Sequence, residues 1–308
     1  MNTVICFDLG GSFIKLGKVQ GDGELTLLGQ EKMPTSAWPE FIRLMRSMIE
    51  QHHAHFSASS PVAISTAGIV TPDSGEIFAS NIPAFHQRKL AQELSVELQR
   101  QVVVHNDADC FTLAEALAGA GKGHKVVFGA ILGSGVGGGL VADGRIIIGQ
   151  NGLTGEWGHG PIALTEVEIA GEWHRLPRLS CPCGQKGCLD SWGGARGMEN
   201  LHRVLHGEMA TSIDIIARWQ QQEALAEKTI SAWLQLVGQP LAYCINMTGA
   251  SVVVVGGGLA SVTPLIAALD DVVQGYVLRR STQPLVVPGR FAHDGGMRGA
   301  ALLAKQTR

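Results

Sequence analysis

Glycine restricts this chain more than any other residue, with forty in 308 positions, gathered in clusters and not spread evenly. The clusters are Gly10–Gly11, Gly133–Gly139, Gly256–Gly258 and Gly295–Gly299. The first three follow or sit within β-branched apolar runs, Thr3–Phe7, Val126–Leu132 and Val252–Val255. A strand that ends in a glycine turn lets backbone approach a phosphate closely. The fourth follows Leu285–Val287 and opens a small-residue segment, Gly299–Lys305, that reads as a helix. Phe41–Gln51, Leu90–Leu98, Cys110–Leu117, Ile213–Trp219 and Ala224–Val237 also have helical patterns, and Gly238 and Pro240 predict a break or kink after the last of them.

Alternating strands and helices predict an α/β architecture. Because glycine turns recur after the first strand and near residue 133, two similar halves are expected. The boundary falls near residue 112: residues 1–112 form a small N-terminal α/β domain and 113–290 a larger C-terminal one. The helix within 291–308 folds back on the first domain. The length is sufficient for two cores.

Composition narrows the function classes. Hydrophobic residues make up 45% and charged residues 17%, which describes a compact protein and not a disordered one. A formal net charge of −3 leaves no broad basic surface for nucleic acid or an anionic membrane. No segment reads as a membrane span, and Asp8 interrupts the first apolar run, against a signal peptide. Three of the six cysteines crowd into Cys181–Cys188, which suits a metal site in a reducing compartment better than a disulfide framework. A cytoplasmic protein is expected.

Several groups carry potential chemistry. Asp8-Leu9-Gly10-Gly11-Ser12 offers backbone amides and a hydroxyl for phosphate and an acid near a bound cation, although Asp and Gly also close ordinary hairpins. Gly133-Ser134-Gly135-Val136-Gly137 repeats that chemistry without the Gly-Lys-Ser/Thr of a P-loop, and a strand follows it. Two such turns imply a nucleotide held between two lobes. Gly256-Gly257-Gly258 would let a flat base lie against backbone, or would end a strand beneath a closely packed helix.

His105-Asn106-Asp107-Ala108-Asp109 holds more polar groups than a helix cap requires. Asp107 is read as a general base with Asn106 positioning it, and Asp109 as the cap. His159, Cys181, Cys183 and Cys188 make a tetrahedral zinc set with no open position, which is structural and not catalytic; unliganded core cysteines are the alternative. Glu156, three residues before His159, faces a polyhydroxylated ligand or is a plain surface carboxylate.

This combination resembles the ROK family (repressors, open reading frames and sugar kinases) along nearly the whole chain, the Cys-x-Cys-Gly-x-x-Gly-Cys run being its most specific part. The resemblance implies an actin/hexokinase-like fold, a duplicated ribonuclease H-like α/β arrangement with ATP in an interdomain cleft and a six-carbon sugar below it. It implies Asp8, Gly10, Gly11, Ser12, Gly133, Ser134, Gly135 and Gly137 as phosphate elements and Asp107 as catalytic base. It makes Asn81, Asn106, Glu156 and His159 sugar ligands, and His159, Cys181, Cys183 and Cys188 zinc ligands. ATP with Mg²⁺, a structural Zn²⁺ and a homodimer follow from it.

Within the family, Ala79–Ala84 and His293–Ala301 most resemble the N-acetylglucosamine kinases. Ser65–Ile69 is similar to N-acetylmannosamine kinases and Gly155–His159 to fructokinases; glucokinase is a further alternative. A sugar-responsive repressor is disfavoured because only seven residues precede Asp8, and a sugar-binding protein without activity because Asp107 is retained. Three departures stand out. Ser12-Phe13 replaces Thr-Lys, Asp190 is expected as a sugar-binding residue, with Asp107, where a longer Glu is usual, and Met247-Thr248-Gly249 replaces Asp-Pro.

Overall fold

The computed structural model describes residues 3–20, 23–79 and 82–306. The chain divides into two compact units, Met1–Ala114 with Arg145–Thr154 and His293–Arg308, and Glu115–Gly144 with Gly155–Ala292.

The first unit is built on a sheet in the order Leu25–Lys32, Phe13–Val19, Val4–Leu9, Val62–Thr66, Val102–Asn106. The first two neighbour pairs are antiparallel and the last two parallel. Alternation along Val4–Leu9 explains its two buried faces. Ile5, Phe7 and Leu9 pack with Phe41 and Met45 of helix Trp38–Gln51 and with Leu90 and Leu94 of helix Leu90–Leu98. Val4 and Cys6 point the other way, against Met297, Ala300, Ala301 and Ala304 of helix Gly295–Gln306. Small residues let that helix come close: Gly299 rests on the Cys110 carbonyl, where a Cβ would overlap it.

The second unit repeats this topology. Val136–Ala142 runs antiparallel to Val126–Leu132, which pairs in parallel with Val252–Gly256, and that strand pairs in parallel with Val286–Pro288. Its core takes Trp192, Trp233 and the inner faces of helices Ala195–His206, Ser212–Gln220, Ala224–Thr248 and Thr263–Tyr276. Among the described residues no helix is long and apolar enough to cross a membrane.

The elements differ from the sequence reading at four places. Helix Ala224–Thr248 runs 25 residues straight through Pro240 and does not break there. An interior proline costs about 3 kcal/mol or more. That loss is offset because Trp233, Leu236, Val237, Leu241 and Ile245 are all buried along the helix, each worth about 1.5–3 kcal/mol. The helix ends at Gly249, which is left-handed (φ 68°) and donates its N–H to the Ile245 carbonyl at 2.9 Å. Met247-Thr248-Gly249 is therefore a glycine C-cap, which accounts for that departure from Asp-Pro.

The first strand continues through Asp8 to Leu9, and the last helix begins at Gly295, one turn before Gly299. Finally, Asp109 is not the cap of helix Asp107–Ala118. Asn106 is: its Oδ1 accepts from the N–H of Ala108 (2.8 Å) and of Asp109 (3.2 Å). A cap must sit just outside the helix, and Asp109 is already in the first turn.

Candidate active site

Three strand ends set the candidate site residues of the first unit. Register pairs Asp8 with Ser65 and Ser65 with His105, then Leu9 with Thr66 and Thr66 with Asn106. Asp8, the glycine turn and Asn106–Asp107 thus share one edge of the sheet, at the carboxyl ends of parallel strands where α/β folds hold ligands. The turn is closed by Gly10 N–H donating to the Phe13 carbonyl at 3.0 Å, with Gly11 and Ser12 exposed.

Asp8 Oδ2 lies 3.5 Å from the Lys15 ammonium, directly opposite it in the hairpin. Burial raises the Asp8 carboxyl, while Lys15 and the Ser65 hydroxyl pull it back down. Sequence reasoning passes over Lys15, yet a signal for it exists. Side chains alternate along a strand, so Lys15 shares a face with Phe13, the position that lacks the usual lysine.

Asp107 opens helix Asp107–Ala118 and is exposed, its Oδ1 accepting from Ala108 N–H at 2.9 Å. Asn106 fixes the approach: besides capping, its Nδ2 donates to the Gly68 carbonyl at 2.9 Å. Gly68 itself has φ 122°, and a Cβ there would sit 2.7 Å from the Phe78 carbonyl oxygen. Asn81 lies outside the described residues.

In the second unit the glycine residues split into two roles. Gly133, Ser134 and Gly258 line a cavity of about 880 Å³, with Ile216, Leu259 and Val262 among its apolar walls and Ser212 and Gln220 among its polar groups. That volume is in the range of small-molecule sites. Nothing in the sequence marks the helix residues in this wall, because they read as ordinary amphipathic positions. Gly137 is not in the turn: it lies in strand Val136–Ala142, and its carbonyl accepts from Trp157 Nε1 at 2.7 Å. Gly256 ends strand Val252–Gly256 opposite Ile131, and Gly257 presses on the backbone of Leu132 and Gly133.

His159, Cys181, Cys183 and Cys188 come together with one ligand atom each, all within 4.8 Å of one another. His159 Nδ1 is 3.6 Å from Cys181 Sγ, and the Sγ atoms of Cys183 and Cys188 are 3.6 Å apart. Zn–S bonds of about 2.3 Å in a regular tetrahedron put sulfurs about 3.8 Å apart, so this donor set fits zinc. Burial, with smaller contributions from the Cys183 and Cys188 thiols and the Asp190 carboxylate, pushes the Cys181 thiol up to about 12, so a thiolate there calls for a cation.

The other His159 nitrogen, Nε2, is 3.8 Å from Glu156 Oε2. Burial raises the Glu156 carboxyl, with His159 opposing and Asp190 adding to that shift. Asp190 does not stand free beside them: its Oδ1 accepts from the Val136 N–H at 2.8 Å.

The chain matches the model of the ROK family over residues 4–307. It is 34% identical over 299 residues to the N-acetyl-D-glucosamine kinase of Pectobacterium atrosepticum, covering 96% of this chain and 97% of that protein. It is 32% identical, with the same coverage, to the N-acetyl-D-glucosamine kinase of Yersinia pseudotuberculosis. Among solved structures it is similar to the ROK hexokinase from Thermus thermophilus, with a TM-score of 0.81, 26% identity, and 99% of this chain and 100% of that one covered.

Proposed function

The chain belongs to the ROK family, and from that membership we propose that it is an ATP-dependent sugar kinase acting on the C6 hydroxyl of a hexose or N-acetylhexosamine, with N-acetylglucosamine favoured. The observation that carries this reading is the strand-end edge of the first unit. There an exposed carboxylate at a helix N-terminus, Asp107, sits beside a capping amide, Asn106, and along the same edge as the Asp8–Ser12 turn. In the reaction Asp107 accepts the hydroxyl proton as the sugar oxygen bonds to the γ-phosphorus and the bond to the ADP oxygen breaks.

Positioning and electrostatics supply most of the rate in such transfers. Mg²⁺ bound with ATP would offset phosphate charge, and Asp8 is the acid in this chain that stands for it. Gly10–Ser12 and Gly133–Gly135 offer amides and hydroxyls to phosphates, and the cavity lined by Gly258 and Leu259 receives the base and ribose. By the family resemblance, Asn81, Asn106, Glu156 and His159 take sugar hydroxyls. Within the same reading the protein is a cytoplasmic homodimer.

Zinc, in this reading, is held by His159, Cys181, Cys183 and Cys188, and its part is to fix the Glu156–His159 loop. Protein purified without added metal should carry one zinc per chain by elemental analysis, and chelation should lower its melting midpoint. Near-zero zinc in fully active protein would make these plain core cysteines.

The sugar is tested by kcat/KM across glucose, fructose, mannose, N-acetylglucosamine and N-acetylmannosamine, read through ADP release. Sites that hydrogen-bond a ligand reject analogues that leave buried polar groups unpaired, so the preference should appear in kcat/KM and not in binding alone. An N-acetylhexosamine should exceed glucose. Glucose or fructose turning over at least as efficiently as both N-acetylhexosamines would remove the N-acetyl assignment and leave the kinase.

A further inference from the structure

Asp190 stands where the resemblance to ROK sugar kinases implies a sugar-binding glutamate, and its surroundings give the shorter side chain different work. We infer that Asp190 is a positioning residue for the glycine turn Gly133–Val136, so that its carboxylate governs nucleotide binding more than sugar binding. The inference rests on the kinase reading above.

The contact is direct and leaves no slack. Asp190 Oδ1 accepts from the Val136 N–H at 2.8 Å, and a Cβ placed on Gly135 would overlap that same oxygen. The Asp190 N–H donates to the Gly158 carbonyl at 2.8 Å, and Gly158 in turn lies against the Val136 carbonyl. The segment that follows braces the rest of the turn. Ala195 N–H donates to the Gly133 carbonyl at 2.8 Å. A Cβ on Gly194 would meet Gly135 Cα at 2.6 Å and the Ser134 carbonyl at 2.7 Å. Asp190, Gly194 and Ala195, within one six-residue stretch, therefore hold the turn at both ends and the middle, and Gly133 and Ser134 line the cavity assigned to the nucleotide.

A glutamate would carry its carboxyl about one C–C bond, roughly 1.5 Å, further, while Oδ1 already fills the space that a Cβ on Gly135 would need. The other carboxylate oxygen, Oδ2, lies 3.8 Å from Cys181 Sγ, beside the cysteine knuckle.

The test measures two affinities separately on the full chain by calorimetry: a non-hydrolysable ATP analogue with Mg²⁺, and N-acetylglucosamine. Asp190→Ala and Asp190→Glu should weaken the nucleotide about 10- to 100-fold, the weight of one charge-assisted hydrogen bond, with sugar affinity within about threefold of wild type. Asp190→Asn keeps an acceptor oxygen in a neutral hydrogen bond about half as strong, so it should recover nucleotide affinity to about 3- to 10-fold below wild type; it also serves if the alanine variant does not fold. Loss of sugar affinity with intact nucleotide binding would overturn the inference, as would parallel loss of both or failure of asparagine to rescue. Wild-type protein that binds no nucleotide would instead overturn the kinase reading itself.

Discussion

Asp107→Asn should abolish nearly all turnover while leaving sugar affinity in place. The amide cannot accept a proton, yet it preserves the carbonyl oxygen that takes the Ala108 N–H at 2.9 Å, so the helix start should survive. Asn106 carries the cap independently, through both Ala108 and Asp109. The variant therefore separates chemistry from architecture. General-base contributions run about 10²–10⁴-fold, and kcat should fall by that factor. Calorimetry with the sugar should show a wild-type Kd. A kcat within threefold of wild type would exclude Asp107 as the base.

Much of the fold was legible because its signals are local. Val126–Leu132 and Leu90–Leu98 were bounded in the sequence as they stand in the structure, since β-branched runs and helical spacing need no partner to be read. The cysteine run likewise announced its cluster, which the structure closes to within 4.8 Å. What was not legible depends on tertiary context. Pro240 looks like a break until the buried face around it is seen. Asn106 and Asp109 are equally good caps by composition, and only the position of the first helical turn decides between them.

The site shows the same division. Gly133 and Ser134 announce a phosphate turn by spacing, but the residues that hold that turn, Asp190 through Ala195, are more than fifty positions away and look like the start of a helix. Lys15 was hidden for a different reason. Its pairing with Asp8 follows from hairpin register, and register was not fixed until the turn closed at Gly10 and Phe13. Arg145–Thr154 carries no composition signal that would assign it to the first unit; contacts such as Gly152 against the Val70 carbonyl do so.

Gly257→Ala should damage the nucleotide side as severely as any single methyl group can. Gly257 has φ 82° and ψ 177°, a region open to glycine almost alone, and a side chain there costs roughly 1–3 kcal/mol. Space is lacking as well: the new Cβ would lie 2.5 Å from Leu132 C and O and 2.6 Å from Gly133 N. Those atoms are backbone at the base of the Gly133–Gly135 turn, so relief requires one chain segment to move by about an ångström, a displacement that can cost about 10²-fold in rate. kcat/KM for ATP should drop by about that factor and the melting midpoint should fall, while calorimetry shows the sugar still bound. Gly275→Ala is the matched control. Gly275 sits exposed in helix Thr263–Tyr276 with nothing within 4 Å of its Cβ position, so the same change should stabilise by roughly 0.5–1 kcal/mol and leave kcat/KM alone. Equal ATP kinetics in the two variants would show that Gly257 does not shape the nucleotide cavity.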